Sequence, residues 1–220
     1  MRCGLVYVCW SLKGGVGTSV VAAGLALQLG GSQPSVLVDL AGEQGPLLGV
    51  ADGERPGVGE WLAAGPDVDN GALARVEIDV AEECVLVPRG SGPLRGGARA
   101  EQLAHELAGR SCAVVVDAGC VRGDEAWLAP LLATAASSWL VTRPCYLALR
   151  RLRDCPVRPD GVVLVNEPGR ALTRADVEAV AEAPVVLDVR WDPAVARAVD
   201  AGLLASRLPR SLRRAVQGAR

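Results

Sequence analysis

The sequence predicts an α/β fold, a doubly wound, mostly parallel sheet with helices on both faces. Three observations lead to it. Short, largely apolar runs recur along the chain, with the length and β-branched makeup of strands buried on both faces. Helical segments separate most of these runs, an alternation that builds right-handed βαβ units around a parallel sheet. One run near the start feeds directly into a glycine-rich loop and then a helix. The 220 residues suffice for a single domain with a sizeable core, read as 1–202 with a basic tail or helix of the same domain over 203–220.

The first strand covers Leu5 to Trp10, and an alanine-rich helix covers Val20 to Leu29, closed by Gly30-Gly31-Ser32. The second strand, Ser35 to Leu40, carries Asp39 at its end. Ala41 to Gly59 is rich in Gly, Pro and acidic residues and reads as one long loop, a length that in a compact domain usually serves a function. A short helix around Trp61 spans Val58 to Ala64, and Val76 to Val80 and Cys84 to Val87 read as short strands. Ser91 to Gly97 is a flexible Gly/Pro loop, followed by an amphipathic helix over Arg99 to Leu107.

The apolar strand Ala113 to Asp117 comes next, then a helix from Asp124 to Ala136. Strands follow over Ser138 to Thr142, Gly161 to Asn166 and Val185 to Val189. The helices Tyr146 to Arg153, Thr173 to Ala181 (with Thr173 as N-cap) and Pro193 to Ala201 complete the alternation. Ligands of such sheets sit at the carboxyl ends of the strands, where the glycine loop, Asp39, Asp117 and Asn166 all fall.

Composition excludes several classes. Half of the residues are hydrophobic, which is a globular balance. A net charge of −2 and a pI of about 5.5 argue against a bulk nucleic-acid binder. The seven cysteines form no C-x-x-C pair, which argues against zinc and against a disulfide framework. His105, the single histidine, receives no role. No apolar run reaches the length of a membrane span and no signal-peptide pattern opens the chain, so a cytoplasmic protein is expected. Of the 23 basic residues, 22 are Arg, and the one Lys is Lys13 in the glycine loop. A compact ammonium on a flexible stem suits a phosphate cradle.

Strand, glycine loop and helix form a phosphate-binding arrangement. Unpaired N–H groups at a helix N-terminus point at an anion, and glycines let the backbone close around it. The cradle is Gly14, Gly15, Val16, Gly17, Thr18 and Ser19. Against the P-loop pattern G-x-x-x-x-G-K-[ST], Leu12 stands at the first glycine and Thr18 at the lysine. Ser19 is the natural hydroxyl ligand for Mg²⁺, with Asp117 as the strand-end carboxylate of the metal shell and Asp39 as a second carboxylate.

The stretch Lys13-Gly14-Gly15-Val16-Gly17-Thr18-Ser19 resembles the deviant Walker A loop, K-G-G-x-G-K-[ST], of the ParA/MinD superfamily of ATPases. Val38-Asp39-Leu40-Ala41 is similar to the family's V-D-x-D, with Ala41 in place of the second Asp. Val87-Pro88-Arg89-Gly90 resembles its L-P-x-G turn, and Val162 to Asn166 followed by Glu167 resembles its strand ending in V-N-R. Val189 to Gly202 is similar to its final segment. Thr18 in place of the second lysine looks like the CpaE/TadZ branch, associated with Tad/Flp pilus assembly and polar localisation.

The resemblance implies ATP and Mg²⁺ as cofactors and a homodimer when ATP is bound. Lys13 would reach phosphate in cis or in trans, and Asn166, Trp191, Asp192 and Pro193 would lie close to adenine. It implies a protein partner in a pilus, secretion or positioning system, met at a pole or at the inner face of the membrane. Thr18 and Ala41 weigh towards slow hydrolysis, or towards ATP binding alone as a scaffold. A DNA-associated partitioning role is the third reading, and Arg150, Arg151, Arg153 and Arg158 read rather as a solvated face. Leu204, Leu208, Leu212 and Val216 recur every four residues among arginines and loosely resemble MinD's lipid-binding helix. Pro209 interrupts the stripe and weighs against a membrane role.

Overall fold

A computed structural model describes residues 5–51, 55–65, 70–121 and 125–219. Cys3, Asp124, Arg220 and positions 52–54 of the long loop lie outside the described residues. Eight strands form one sheet: β1 (Val6–Ser11), β2 (Ser35–Asp39), β3 (Ile78–Ala81), β4 (Cys84–Val87), β5 (Ala113–Cys120), β6 (Ser137–Thr142), β7 (Gly161–Asn166) and β8 (Val185–Arg190). Their order is β3-β4-β2-β5-β1-β6-β7-β8, and only the β3–β4 pair is antiparallel. Early strands lie to one side of β1 and β6–β8 to the other. β1 is therefore central, and the segment leaving its carboxyl end sits at the middle of the sheet.

The helices are α1 (Thr18–Gly30), α2 (Gln44–Leu48), α3 (Val58–Ala63), α4 (Ala98–Ala108), α5 (Leu128–Thr134), α6 (Tyr146–Arg153), α7 (Arg174–Ala181), α8 (Pro193–Asp200) and α9 (Arg210–Val216). Side chains alternate across the sheet. Val6, Val8 and Trp10 of β1 face a core shared with α3 to α7, whereas Tyr7 and Cys9 face one shared with α1, α2, α8 and α9. Phe is absent, so small branched side chains fill both layers, and buried Trp10 satisfies its indole N–H on the Ser138 hydroxyl at 2.9 Å.

Four expectations change. The stretch 41–59 is not one loop, because α2 forms inside it and buries Leu47 and Leu48. The glycine loop ends sooner than its sequence suggests, since Thr18 and Ser19 already belong to the first turn of α1. The helix expected over 124–136 is ordered as α5 from Leu128, and a 3₁₀ stretch, Asn70–Val76, precedes β3. The fourth is the segment after β4, which is locked rather than flexible at its start. Val58 N–H donates to Pro88 O and Gly59 N–H to Arg89 O, each at 2.9 Å. A Cβ on Gly59 would fall 2.3 Å from Gly92 O, so glycine is needed there for backbone contact.

The basic tail folds onto the domain. Leu204, Leu212 and Val216, three members of the stripe, are buried in the core with α1 and β8. That burial removes them as a lipid-facing surface. No described helix is long and apolar enough to cross a membrane. The six described cysteines are all free. Leu212→Ala should open a cavity against α1 and cost about 2–5 kcal/mol, seen as a lower urea midpoint with an unchanged slope.

Candidate functional site

The site begins where β1 ends. The chain turns through Leu12 to Gly17 and enters α1 with Gly17 at φ +100°, a left-handed conformation that costs glycine nothing. No side chain caps this end of α1, and its first turn contains no acid, so its N–H groups and positive dipole end remain available to an anion. A cavity of about 920 Å³ opens on this turn, lined by Gly14, Gly15, Gly17, Thr18 and Ser19 on one side and by Arg89, Leu94 and Trp127 on the other. Gly14 and Gly15 have only open space within 4 Å of where a Cβ would sit.

Behind the turn lies a buried polar node. The register of β2 on β5 places Asp39 opposite Asp117, 3% and 0% exposed. Asp117 accepts from Gly119 N–H at 3.1 Å and from Gln44 Nε2 at 2.7 Å, and the Ser19 hydroxyl is near enough to favour its charged form. Burial first, helped by the Asp39 charge and opposed by the Ser19, Gln44 and Gly119 donors, pushes the Asp117 carboxyl up to about 6. Asp39 is also raised by burial, opposed by the N–H groups of Gln44, Gly42, Ala41 and Glu43. Its Oδ1 accepts from Ala41 and Gly42 N–H at 2.9 and 2.7 Å, and Oδ2 from Gln44 N–H at 3.0 Å. Both Asp39 oxygens thus hold the turn after β2.

Sequence reasoning misses Gln44, which lies inside a stretch that reads as loop. It is fully buried, and its Nε2 bridges Asp117 and the Ser19 carbonyl, the latter at 2.9 Å. Both partners are acceptors, which fixes the orientation of the amide and leaves Oε1 buried with no donor. A cationic, hydrated ligand fits this donor set: one hydroxyl, two carboxylates and an unsatisfied amide oxygen. The only local trace of Gln44 in the sequence is its place in an acidic, Gly-rich segment, which carries no distinguishing signal.

Other expected residues are placed apart. Lys13 is half-buried and does not line the large cavity. It lies within electrostatic reach of Cys145, whose thiol is held below its ordinary range chiefly by the Ala148 N–H, against burial, with Lys13 among the charges that assist. Arg151 of α6 donates to Leu12 O at 2.8 Å and steadies the start of the turn. A second, more apolar cavity of about 210 Å³ lies on the far side of Gly17, lined by Val16, Val165, Val189, Trp191 and Asp192. Gly17 and Val20 line both cavities, so the two adjoin across the amino end of α1.

Trp191 is 46% exposed, and its N–H donates to Asn166 O at 2.8 Å, which joins the ends of β7 and β8. The Asn166 side chain is exposed and is not among those lining either cavity. Asp192 caps α8 by accepting from Ala194 N–H at 2.8 Å and also accepts from the Ser211 hydroxyl at 2.6 Å. Pro193 occupies the first turn of α8 and is exposed.

Two outcomes test the node. Gln44→Leu leaves a buried carboxylate short of a donor and should cost about 1–3 kcal/mol of stability, read as a drop in Tm. Asp117→Asn should act oppositely in nucleotide-free protein. Its folded pKa of about 6 lies above the usual 3.8, so the folded state binds the proton more tightly and stability falls as pH rises between the two. Asp117→Asn should therefore melt higher than the parent at about pH 7.5, by up to about 3 kcal/mol, and the gap should close near pH 4.

No protein-family model matches the chain, and no curated protein matches it. Solved structures do. A ParA family ATPase from Chlorobium tepidum TLS superposes with a TM-score of 0.78 at 18% identity, over 97% of this chain and 96% of that one. The septum site-determining protein MinD from Pyrococcus horikoshii OT3, complexed with Mg-ADP, gives 0.73 at 18% identity, over 99% and 94%. A Cyanothece McdA variant in complex with ATP gives 0.72 at 15% identity, over 99% and 95%. Over nearly its whole length, the chain has the fold of the ParA/MinD P-loop proteins.

Proposed function

We propose that the chain binds ATP with Mg²⁺ and works as a nucleotide-dependent positioning switch, dimeric when ATP is bound, with slow turnover. One observation carries the reading: the uncapped amino end of α1 faces a cavity of about 920 Å³, while Ser19 in its first turn lies near enough to buried Asp117 to favour its charged form. Phosphate oxygens are received by the N–H groups of Gly14 to Ser19 and by the α1 dipole. The Ser19 hydroxyl and Asp117 hold the cation, with Gln44 keeping Asp117 in place. Mg²⁺ supplies neutralisation of charge on the terminal phosphates. The apolar cavity beyond Gly17, with Trp191 at its edge, receives the base.

Three features favour binding over turnover. Thr18 offers no charge to the phosphates. Ala41 brings no carboxylate, and both Asp39 oxygens hold the backbone of the turn rather than a nucleophilic water. Lys13 lies outside the large cavity, in keeping with action across a dimer. The CpaE/TadZ-like assignment, with a pilus or secretion machine as the partner, rests on the Lys13 to Ser19 pattern, and the assignment of Asn166, Trp191, Asp192 and Pro193 to the base rests on their likeness to the family.

Millimolar Mg-ATP should raise the Tm, by linkage worth about 2.7 kcal/mol at roughly a hundredfold excess over Kd. Sedimentation should show an ATP-dependent dimer that Lys13→Ala abolishes. Phosphate release that exceeds the Lys13→Ala control marks the slow ATPase, and release equal to it with binding retained marks the scaffold. An unchanged Tm overturns both.

A further inference from the structure

We infer that Arg89 is the cation that takes the place of the missing loop lysine on the phosphates. The inference rests on the nucleotide reading above. The deficit is local and chemical. At the lysine position stands Thr18, a neutral side chain 7% exposed at the wall of the large cavity. Lys13 does not line that cavity, and two of the residues that do, Glu43 and Glu125, are acidic. A polyphosphate entering such a pocket meets net repulsion unless a cation faces it. Among the described residues, Arg89 is the single cation of the lining.

Its placement is fixed from several directions. The Arg89 carbonyl accepts from Gly59 N–H at 2.9 Å, and the preceding Pro88 carbonyl accepts from Val58 N–H at 2.9 Å, so the backbone is tied to the start of α3. The stem crosses the turn after β2, with Cδ 3.2 Å from where a Cβ on Gly42 would lie. Nη1 donates to Gly90 O at 3.0 Å and lies 3.5 Å from Gly92 O. No carboxylate of the described residues lies within ion-pair distance of the guanidinium, although Glu60 is engaged with the same loop through Ser91 and Gly92. Among the described residues the guanidinium therefore has no ion-pair partner, and only Nη1 makes a hydrogen bond. A guanidinium held by one nitrogen presents its remaining edge as a fork, the geometry that matches two phosphate oxygens. The cost of ordering the side chain has already been met in the free protein.

A purely structural role, in which Arg89 only ties down Gly90 and Gly92, predicts a different pattern of results. The test is equilibrium titration of mant-ATP and mant-ADP in the presence of Mg²⁺, with Tm measured alongside. Arg89→Gln should weaken mant-ATP by about 10- to 100-fold, the scale of a charged hydrogen-bonded contact. Arg89→Lys, which keeps the charge without the fork, should lose clearly less than Arg89→Gln, and adding Thr18→Lys to Arg89→Gln should recover affinity. Arg89→Gln binding as tightly as the parent overturns the role of Arg89 and leaves the nucleotide reading intact. Equal loss in Arg89→Gln and Arg89→Lys, with a lowered Tm and no recovery by Thr18→Lys, overturns it in favour of the structural role. Failure of the parent protein to bind either nucleotide overturns the nucleotide reading, and this inference with it.

Discussion

Two carboxylates buried side by side, Asp39 at the end of β2 and Asp117 within β5, which runs on to Cys120 rather than ending at the acid, set the terms for everything around them. Charge in a low-dielectric interior is costly unless each oxygen finds a donor. Asp39 meets that demand by drawing the N–H groups of Ala41, Gly42 and Gln44 around itself. The turn so formed delivers the Gln44 side chain to Asp117, and the same amide reaches the Ser19 carbonyl at the start of α1. Strand ends, turn and phosphate-facing helix are thereby tied through one side chain. The node remains electrostatically unfinished, with Asp117 pushed towards its protonated form and Gln44 Oε1 lacking a donor. A site left in that state gains more from a cation than a neutral one would.

The fold is largely legible in the sequence because both of its signals are local. Buried parallel strands read as largely apolar runs, and β1, β2, β7 and the first half of β5 do so. The carboxylate pair is legible too, since strand-end acids after apolar runs stand out. Gln44 is not, because its importance comes from a tertiary contact across 73 positions with no periodic trace. Composition alone places 57–59 and 90–92 at the margins of loops. Their glycines instead admit two backbones to direct contact, information held by the partner segment and not by either one. The four-residue stripe of the tail is legible as amphipathic; which apolar surface it meets, α1 and β8 or lipid, is not encoded in its period.

The two cavities divide the site by chemistry. On one side of Gly17 lie the polar turn, the acids and Arg89; on the other lie Val165, Val189 and Trp191. Gly17 is where they meet, and its φ of +100° is a conformation that a side chain would strain. A molecule with an ionic end and a flat apolar end matches that division better than one uniform in character. Asp192 illustrates how a motif position serves the scaffold as well: its carboxylate is engaged in starting α8 and in holding Ser211.

The position of β1 at the middle of the sheet also bears on how the chain comes to be folded. Its neighbours are β5 and β6, so Val6 pairs beside Val114 and Tyr7 beside Ser137. Neither partner exists until the chain has been made past α4. The strand at the centre of the sheet, and the turn that depends on it, must therefore wait unpaired while β2 to β4 are synthesised. Pairings so distant in sequence slow folding and expose a sticky edge in the interim. The phosphate-facing turn is accordingly set only once β5 and β6 have been made, and not when its own segment emerges.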